Sequence, residues 1–426
     1  MTKRILISGG SIAGLTLAHW LARYGFQPTV VERAPGLRAG GNGVDVRDMA
    51  SGVVERMGIM PRVQAAATDV MGMKFVDADD RSVAHIDTRD PGAVEIMRDD
   101  LVALLHEATD VEYIFDDSIR RLEQDDNGVT VTFDRADTRR FDLVIGADGL
   151  HSTVRKLAFG PESRFLRYKD HYFAFANTDA ALGENRWVTM HNPRPGRMAG
   201  IYRSGNHAQA KAYFIFRSGP LTYDHRDVAQ HKRLVSDVFG SEPSWRIKEL
   251  LAAALADPDF YFDALSQVHM DSWSAGRVAL AGDGAYCASP ASGAGAELAL
   301  VGAYRLAGEL AAAGGDHQVA FPRYQDSHRA LVRTKQQIGP NVRLMVPKTD
   351  TGRRVRDTIA RLPLMRALGT IERLTQARKS DALPKYNPDW LRHPHRPTHM
   401  IDLSVHNHNP HPDPRGRGPQ RWTRGS

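Results

Sequence analysis

The N-terminal part of the chain alternates between apolar runs and glycine in an order that predicts a strand, a tight turn, a helix and a second strand. Arg4–Ser8 is a short run of β-branched and apolar residues, typical of a buried strand. From Ile12 to Tyr24 the apolar residues recur at helical spacing, and Gly25 then ends the helix. Gln27–Glu32 is a second apolar run that ends in an acidic residue. The pattern predicts the βαβ unit with which many proteins bind a dinucleotide.

Further along the chain, the pattern changes from buried strands to alternating strands and back. Gly128 marks a hairpin between two short strands, and Phe141–Ala147 is a continuous apolar run of the buried kind. From about Arg164 to Phe216, apolar and polar residues alternate with aromatics among them, which is typical of an antiparallel sheet. The later predicted elements are a helix at Ser244–Leu255, a buried strand at Arg277–Ala281 and a long helix rich in Ala and Leu at Glu297–Ala313.

This order of elements predicts an α/β fold. A Rossmann-like nucleotide-binding domain, with a mixed sheet and helices, is interrupted by an inserted antiparallel β-sheet domain, and a C-terminal helical segment follows. The predicted boundaries are 1–72, 96–163 and 270–335 for the nucleotide-binding domain, 73–95 and 164–269 for the inserted domain, 336–385 for the helical segment, and 386–426 for a disordered basic tail.

Composition places the chain among ordinary globular proteins, since 42% of its 426 residues are hydrophobic and 25% are charged. Its one cysteine, Cys287, excludes an intramolecular disulfide and fits a reducing compartment, so we expect a cytoplasmic protein. No apolar run approaches the ~20 residues of a membrane helix, which predicts no membrane span. Most of the formal charge of +6 lies from Leu391 onward, so no nucleic-acid partner is predicted. The histidines there have no recurring ligand spacing, which predicts no metal site.

The turn of the first βαβ unit is ISGGSIAGLTLA, with Ser11 where the second glycine of GxGxxG is usual. Gly9 permits the tight bend, Gly14 lets helix and strand approach, and the amides at the helix start would face a pyrophosphate. Glu32, about 20 residues further on, would accept hydrogen bonds from a ribose. Ser11 adds only a Cβ and a hydroxyl, so we expect the turn to tolerate it. The alternative is a turn that binds nothing.

Two later segments also place an acid and a glycine directly after a buried strand. GADGLHSTVRK, Gly146–Lys156, has Ser152 and Arg155 one helical turn apart. RVALAGDGAYCASPASGAGAELAL, Arg277–Leu300, has a second glycine turn that opens a helix. With the first turn, these segments resemble the FAD-dependent aromatic hydroxylases, the p-hydroxybenzoate hydroxylase superfamily of single-component flavin monooxygenases. The resemblance covers Met1 to about Arg333.

Two further stretches narrow this resemblance. GGNGVDVR, Gly40–Arg47, and ALVGAYRLAGEL resemble most the tetracycline-inactivating and polyketide-hydroxylating branch. The resemblance implies bound FAD, with NADPH or NADH as a transient co-substrate that has no domain of its own. It also implies that a flavin hydroperoxide formed from O2 hydroxylates an aromatic or polycyclic small molecule, such as a polyketide.

The resemblance also assigns roles to single residues. Asp283 would bind the ribityl chain, Pro290 would lie against the flavin ring, and Asp148 would touch FAD and the passing nicotinamide cofactor. The alternatives are structural: a helix N-cap for Asp148, and surface ion pairs for Arg98 and Arg155. The implied cofactor-binding residues are Gly9, Ser11, Ile12, Ala13, Gly14, Glu32, Arg33, Arg98, Asp148, Arg155, Gly282, Asp283, Pro290, Gly293, Ala294 and Gly295.

Some positions depart from the pattern of the family. Tyr286 stands where histidine is frequent, and Glu297 stands where asparagine is frequent. We expect Glu297 to point away from the flavin ring, because its charge would oppose an anionic reduced flavin. Cys287, beside the flavin loop, is expected to pack as a small apolar residue.

The alternating strands supply candidate walls for a dry substrate cavity, and about half of their side chains should face it. A base that removes a phenol proton would assist the reaction, and Asp45 and Arg47 are the candidate catalytic residues because the resemblance places their loop along the flavin. The alternatives are core packing for the walls and exposed loop charges for the two polar residues. The candidate substrate contacts are Phe175, Met190, Tyr202 and Tyr213.

Other functions of the same fold stay open at this point. A flavin-dependent reductase or dehydrogenase would consume NAD(P)H without oxygenating a substrate, and a carrier would perform no redox chemistry. A halogenase is disfavoured because the chain has no WxWxIP segment. The expected partners are an aromatic small molecule and O2. The sequence leaves open whether the chain is a monomer or a homodimer, and whether the segment from Val342 caps the cavity or forms dimer contacts.

Overall fold

The computed structural model describes residues 2–37, 40–87, 90, 92–337, 342, 345–361 and 382–386. The strands are β1 (Arg4–Ser8), β2 (Gln27–Glu32), β3 (Gly43–Val46), β4 (Gly72–Val76), β5 (Ser82–Asp87), β6 (Val94–Met97), β7 (Glu112–Phe115), β8 (Ile119–Asp125), β9 (Gly128–Phe133), β10 (Arg139–Phe141), β11 (Leu143–Gly146), β12 (Leu166–Asp179), β13 (Trp187–His191), β14 (Arg197–Arg203), β15 (Gln209–Arg217), β16 (Tyr261–Val268), β17 (Ser274–Ala275) and β18 (Val278–Leu280). The helices are α1 (Ile12–Arg23), α2 (Met49–Arg56), α3 (Met60–Ala65), α4 (Arg98–Glu107), α5 (Thr153–Phe159), α6 (Val228–Phe239), α7 (Ile247–Ala256), α8 (Asp283–Tyr286), α9 (Gly295–Ala312), α10 (His317–Gln336) and α11 (Asp350–Arg361).

A parallel sheet carries the three glycine-containing segments. Six of the described strands lie in the order β17-β18-β11-β1-β2-β7, and all but the edge strand β17 run parallel to their neighbours. Ile5–Ile7 and Leu143–Ile145 have no exposed surface, as expected of strands covered on both faces. Because β18, β11 and β1 are neighbours, the segments that follow them meet at the carboxyl edge of the sheet, where α/β proteins bind ligands.

A second, larger sheet is formed by the inserted part of the chain together with β4 and β5. Its described strands lie in the order β16-β12-β15-β14-β13-β4-β5. The neighbours are antiparallel except β13 and β4, which run parallel. The α/β fold with an inserted, largely antiparallel sheet is therefore confirmed.

Alternation along these strands gives the large sheet two different faces. Tyr172, Ala174, Phe214 and Phe216 point to one side and pack in a core with residues of α6 and α7. The residues between them point to the other side and form what we call the aromatic face. Its members from this sheet include Phe173, Phe175, Met190, Met198, Tyr213 and Ile215, and Phe75, Ala84 and Leu265 belong to the same cluster.

The described strands form two smaller β-structures besides the parallel sheet and the large sheet. Strands β10, β9 and β8 form an antiparallel sheet, and β3 pairs with β6 in a two-stranded antiparallel ribbon. The ribbon turns Val46 and Ile96, both without exposed surface, into the core. Gly43, Asp45 and Glu95 lie on its other face, where the two carboxyls are the polar side-chain groups.

The C-terminal part contacts the large sheet and then returns to the nucleotide-binding side. Val342 and Val346 pack in the same cluster as the aromatic face, so the described part of this segment covers that face. In α11, Arg356 lies over the Phe75 ring at 4.0 Å and donates a 2.7 Å hydrogen bond to Asn192 Oδ1. Most of the predicted helical segment beyond α11, and the tail predicted to be disordered, lie outside the described residues.

Two local elements differ from what the sequence predicted. The prediction of one strand over Phe141–Ala147 was wrong, since β10 ends at Phe141 in the small sheet and β11 begins at Leu143 in the parallel sheet. Both halves are buried, so the change of sheet leaves no mark in the hydropathy pattern. Helix α6 was not predicted; it buries Val235 and Phe239 against the large sheet, whereas most of its surface is polar.

None of the helices in the described part of the chain is long and apolar enough to cross a membrane. The division of the chain into a discontinuous nucleotide-binding domain, an inserted domain and a C-terminal segment stays a prediction. The sheets described above are the observations from which that division would be drawn.

Candidate active site

The first glycine turn is packed too tightly for side chains at Gly9 and Gly14, the two glycines of the motif that this chain keeps. Gly9 has φ +109°, and a Cβ there would overlap the carbonyl of Ala147 at the end of β11. A Cβ on Gly14 would overlap the carbonyl of Gly9. The turn after β1 is thus pressed against the segment after β11, as a close βα turn requires.

Glu32 holds the turn from the end of the neighbouring strand. Its Oε2 accepts a 2.7 Å hydrogen bond from the amide of Gly10, and its Oε1 accepts a 2.9 Å bond from the amide of Ala34. Each carboxylate oxygen has a second lone pair, so these bonds are compatible with the ribose contact predicted from the sequence. Arg33 follows at the exposed end of this strand.

Ser11, at the usual glycine position, does not cap helix α1. Its Oγ accepts a 2.8 Å hydrogen bond from Nη2 of Arg98, the first residue of α4. The amides of Ile12 and Ala13 in the first turn of α1 have no acceptor within the helix, and such amides favour an anion. The serine therefore brings a guanidinium to the position where a pyrophosphate would meet the helix.

The segment after β11 is organised around Asp148. Its Oδ1 accepts a 2.5 Å hydrogen bond from the hydroxyl of Ser152, and its Oδ2 accepts a 3.1 Å bond from the amide of Val154. Burial raises the pKa of Asp148, and these hydrogen bonds oppose the shift. The N-cap of α5 is Ser152, whose Oγ accepts a hydrogen bond from the amide of Arg155. Asp148 therefore binds the N-cap residue and is not itself the N-cap.

Arg155 is fully buried, which makes the alternative of a surface ion pair wrong. Its Nη1 donates a 3.0 Å hydrogen bond to the carbonyl of Gly284, and its Nη2 donates to the carbonyl of Leu150 at 2.6 Å and to Glu162 Oε2 at 3.1 Å. A buried guanidinium is costly unless its donors find partners, and here the two terminal nitrogens, Nη1 and Nη2, have them, whereas Nε has no acceptor among the described residues. Arg155 thereby joins the second segment to the third.

The third segment begins directly after β18. Gly282 has φ +60°, and a Cβ there would lie 2.8 Å from the Cβ of Ala13 in α1. Asp283 follows at the start of α8 with an exposed side chain. Burial by the surrounding protein raises its pKa, whereas Cys287 and the positive charge of Arg98 lower it. Asp283 is thus solvent-accessible but enclosed by the other two segments.

The loop between α8 and α9 contains the predicted flavin contacts. Pro290 starts a short 3-10 turn, Gly293 takes the left-handed conformation with φ +61°, and α9 begins at Gly295 after Ala294. A Cβ added at Gly295 would meet no atom within 4 Å. The helix N-terminus therefore faces open space, as a flavin contact there requires. Nη2 of Arg47 reaches the carbonyl of Gly293 at 3.4 Å.

The residues that depart from the family pattern are satisfied by the protein itself. Glu297 is buried, and its Oε2 lies 2.7 Å from Nζ of Lys335 in α10. Burial raises the pKa of Glu297, and the lysine opposes the shift. Tyr286 is buried with its hydroxyl 3.1 Å from that of Tyr324. Cys287 is buried, and burial raises the pKa of its thiol, which agrees with packing as a small apolar residue.

The residues around this edge fit FAD. Three segments touch one another, Gly9, Gly14 and Gly282 leave no room for a Cβ, and the first-turn amides of α1 and α9 have no intrahelical acceptor. A cation, Arg98, and a carboxyl, Asp283, stand beside them. This combination suits a pyrophosphate at α1, ribityl hydroxyls at Asp283 and a flavin ring at α9.

All four candidate substrate residues point to the side of the large sheet that carries the aromatic face. Phe175 and Met190 belong to the aromatic face, and Tyr213 stacks on Phe173 with 5.7 Å between the ring centroids. Tyr202 meets Tyr213 edge-on at 6.4 Å. Phe214 and Phe216, on the same strand as Tyr213, lie on the opposite face.

The two candidate catalytic residues lie at the ribbon. Asp45 is in β3, and its Oδ2 is 3.7 Å from Nη1 of Arg47. Sequence reasoning missed Glu95, which stands opposite Asp45 on β6 and accepts a 3.0 Å hydrogen bond from the hydroxyl of Tyr202. The only sequence signal for it was a carboxylate alternating with apolar residues just before Arg98.

Comparison with known proteins agrees with this geometry. Residues 2–320 match the FAD binding domain family. The Mycobacterium tuberculosis protein named Uncharacterized protein Rv1260 is 45% identical over 344 residues, covering 78% of this chain and 92% of that protein. A flavin-dependent monooxygenase from an unknown prokaryotic organism is 39% identical over 344 residues, covering 79% and 89%. The solved structure of tetracycline destructase Tet(51) gives a TM-score of 0.77 at 32% identity, covering 91% of this chain and 100% of that one.

The fold, the site and these relatives define a flavoprotein monooxygenase. The chain belongs to the FAD-binding family of aromatic hydroxylases, the p-hydroxybenzoate hydroxylase superfamily, and it is an FAD-dependent monooxygenase. The predicted family, cofactor FAD and enzyme class are therefore confirmed. The roles of single residues stay predictions.

Proposed function

We propose that this enzyme consumes NAD(P)H and O2 to hydroxylate an aromatic or polycyclic small molecule bound between the aromatic face and the flavin loop. The observation that carries the proposal is the packing of Ala291, in that loop, with the aromatic face. One surface of the large sheet is thus placed beside the loop predicted to hold the flavin ring. Apolar and aromatic side chains there suit a flat, largely apolar substrate and exclude water.

The class of substrate follows from the chemistry of this face and from the relatives. Stacked rings with tyrosine hydroxyls at one end would accept a fused-ring phenol. Tet(51) is named a tetracycline destructase, so polycyclic phenols, tetracyclines among them, are the first compounds we propose. Val342, Met345 and Val346, which pack in the same cluster, would close this site from outside.

We assign the cofactor roles as the sequence predicted them. Bound FAD supplies the acceptor for hydride and the site of oxygen activation. Arg98 and the α1 amides would hold its pyrophosphate, and Asp283 would hold its ribityl chain. NADPH or NADH would approach past Asp148 and Gly149, since a Cβ at Gly149 would meet no atom within 4 Å. Asp45 and Arg47 would act on the substrate from the ribbon.

Purified protein tests the proposal. We expect a yellow protein that releases FAD on denaturation, oxidises NADPH or NADH faster with a suitable phenol, and incorporates one atom of labelled oxygen into the product. A panel of phenols and polycyclic phenols, with tetracycline included, would identify the substrate class. Oxidation of NAD(P)H without oxygen incorporation would replace the hydroxylase by a reductase, and a colourless protein that refuses FAD would overturn the assignment of the site.

A matched pair of variants tests the placement of the substrate. Phe175 and Phe214 lie on neighbouring strands but on opposite faces of the sheet. We expect Phe175→Leu to raise the KM for the substrate severalfold, whereas Phe214→Leu lowers stability and leaves KM near the wild-type value. Equal effects on KM would argue against the aromatic face as the binding surface.

Three further assignments belong to this proposal. We propose a cytoplasmic enzyme, on the strength of its single cysteine, and a monomer or homodimer. We also propose that the FAD-binding domain comprises 1–72, 96–163 and 270–335, and that 73–95 and 164–269 bind the substrate.

A further inference from the structure

Two carboxyl side chains face each other across the ribbon of β3 and β6. Asp45 is directly opposite Glu95 in the antiparallel pairing, which places the Cβ atoms of such a pair roughly 4.5–5.5 Å apart. Val44 and Ile96 point to the other side, into the core. Like charges in this arrangement repel each other, so both carboxyls are not expected to be ionised together.

Glu95 is held in place from three sides. Its Oε2 accepts a 3.0 Å hydrogen bond from the hydroxyl of Thr68, and its Oε1 accepts a 3.0 Å bond from the hydroxyl of Tyr202. A Cβ on Gly43 would overlap Oε1, so the carboxyl lies directly over this glycine. Because Tyr202 contacts Tyr213, the carboxyl pair adjoins the end of the aromatic face.

Several charged and titratable groups surround the pair. Burial raises the pKa of Asp45, the charge of Arg47 lowers it, and the charge of Asp90 raises it. Burial also raises the pKa of Glu95, as does the charge of Asp45, whereas the hydrogen bond from Tyr202 lowers it. Asp45 is partly exposed on the open side of the ribbon, so a ligand can reach it.

We propose that Asp45 and Glu95 form one carboxyl pair that shares a single proton, and that Glu95 positions Asp45 to accept a proton from a hydroxyl of the bound substrate. This inference rests on the proposed function and adds Glu95 to it as a positioning residue. The substrate class that follows is a phenol or enol, because an acidic hydroxyl must meet Asp45.

The proton transfer is balanced within these groups. The O–H bond of the substrate breaks, its electron pair stays on the substrate oxygen, and a new O–H bond forms on the ionised carboxylate of the pair. The resulting oxyanion makes the ring more electron-rich, which favours attack by an electrophilic oxygen. Arg47, 3.7 Å from Asp45, offsets the negative charge that the pair carries before the transfer. The contact of Arg47 with the carbonyl of Gly293 links the pair to the flavin loop.

An infrared pH titration of the FAD-loaded protein tests the pair without a substrate. The signal is the C=O stretch of protonated carboxyls. We expect wild type to lose one such signal from this pair well above the ordinary carboxyl range, beside those of the buried carboxyls Asp148, Asp283 and Glu297. Glu95→Gln should lower the transition of the pair by about one pH unit or more, because the like charge is gone, and should leave the others in place. Glu95→Asp should keep the raised transition. Glu123→Gln, at an exposed pair with Arg121, is the matched control and should leave the raised transition unchanged.

A geometric variant separates the pair from a merely structural role. Gly43→Ala keeps both carboxyls but displaces Glu95 by overlap with the new Cβ. We expect it to shift the titration as Glu95→Gln does and, with a phenolic substrate, to shift the acidic limb of the kcat/KM profile in the same direction. If both variants titrate like wild type, the shared proton is disproved.

The two proposals can fail separately. In one outcome, Glu95→Gln removes the raised carboxyl transition, but the enzyme oxygenates no phenol or enol. That result would confirm that the pair shares a proton and would overturn its assigned role toward the substrate. Oxygenation with a pH profile that Glu95→Gln does not alter would confirm the proposed function and refute the role of the pair.

Discussion

The serine of the first turn shows how one side chain changes a common motif. In a GxGxxG turn the second glycine lets the backbone approach a pyrophosphate. Here Ser11 accepts a hydrogen bond from Arg98, which lies 87 residues further along the chain. The carboxyl of Asp283 lies near the same arginine, whose positive charge opposes the rise of its pKa by burial. The serine therefore fixes the guanidinium beside the helix amides, and this contact is compatible with the expected tolerance of the turn.

This geometry predicts unequal effects of two substitutions on FAD affinity. Ser11→Gly should bind FAD within about threefold of wild type, because Arg98 keeps its charge and the turn regains the usual glycine. Arg98→Ala should weaken binding about tenfold or more, because charge-assisted hydrogen bonds contribute roughly 1.5–3 kcal/mol. Quenching of flavin fluorescence on titration of apoprotein measures both. Arg98→Ala with unchanged affinity would remove Arg98 from the site.

At the scale of elements, His151 connects the segment after β11 to the edge strand β16. Its Nε2 lies 3.0 Å from Oδ2 of Asp263, and its Nδ1 lies 3.1 Å from Glu162. Burial lowers the pKa of His151, but the hydrogen bonds and charges of these two carboxylates outweigh burial and raise it to about 9. Protonated His151 thus joins the FAD motif to the large sheet.

The raised pKa predicts a pH-dependent contribution to stability. Since the folded-state pKa lies above the unfolded value of about 6.5, the contribution is complete below that pH and is lost as pH rises toward 9. We expect the difference in unfolding free energy between wild type and His151→Asn, of order 2–3 kcal/mol at pH 6, to shrink through this window.

Denaturant titrations at several pH values measure this difference. His225, exposed and stacked on His151 at 4.3 Å, provides the matched substitution, and His225→Asn should leave most of the pH dependence intact. A difference between wild type and His151→Asn that stays constant from pH 6 to about pH 9 would contradict the charged link.

At the scale of the whole molecule, residues 382–386 bring the C-terminal part back to the FAD-binding side. The carbonyl of Pro384 accepts hydrogen bonds from Arg56 at 2.6 Å and from Tyr304 at 2.9 Å. The ring of Tyr386 lies over Gly308 of α9 so closely that a Cβ there would overlap it, and its hydroxyl donates to Glu309 at 2.8 Å. This short segment is therefore anchored on α2 and α9.

The contact predicts an unusual sign for a helical substitution. Gly→Ala inside a helix normally stabilises by about 1 kcal/mol. Gly308→Ala should instead destabilise, by roughly 1–3 kcal/mol, because the new methyl overlaps the ring of Tyr386. In a Tyr386→Ala background the same change should stabilise, and thermal unfolding of the four proteins gives the coupling energy. A more stable Gly308→Ala single variant would mean that Tyr386 is not docked there.

Much of the FAD site could be predicted from the sequence because it depends on short-range order. A glycine or an acid directly after a buried strand is fixed in position by the strand itself, so Gly9, Asp148 and Asp283 could be located from local patterns. The even alternation of β12 and β15 likewise predicted that only half of their aromatics face the site. Glu95 could not be identified as a site residue from the sequence, because its role depends on the strand register with Asp45 and on contact with Tyr202, which is 107 residues away.

The sequence by itself determined the class of fold, the FAD motifs and the two-sided character of the inserted sheet, because strand and helix periodicities act over a few residues. Tertiary structure decided which polar groups meet: Ser11 with Arg98, Asp45 with Glu95, and His151 with Asp263. These contacts join distant parts of the chain, and their geometry depends on strand register and sheet packing. A local pattern carries no information about either, so the chemistry of this enzyme was fixed only when its sheets came together.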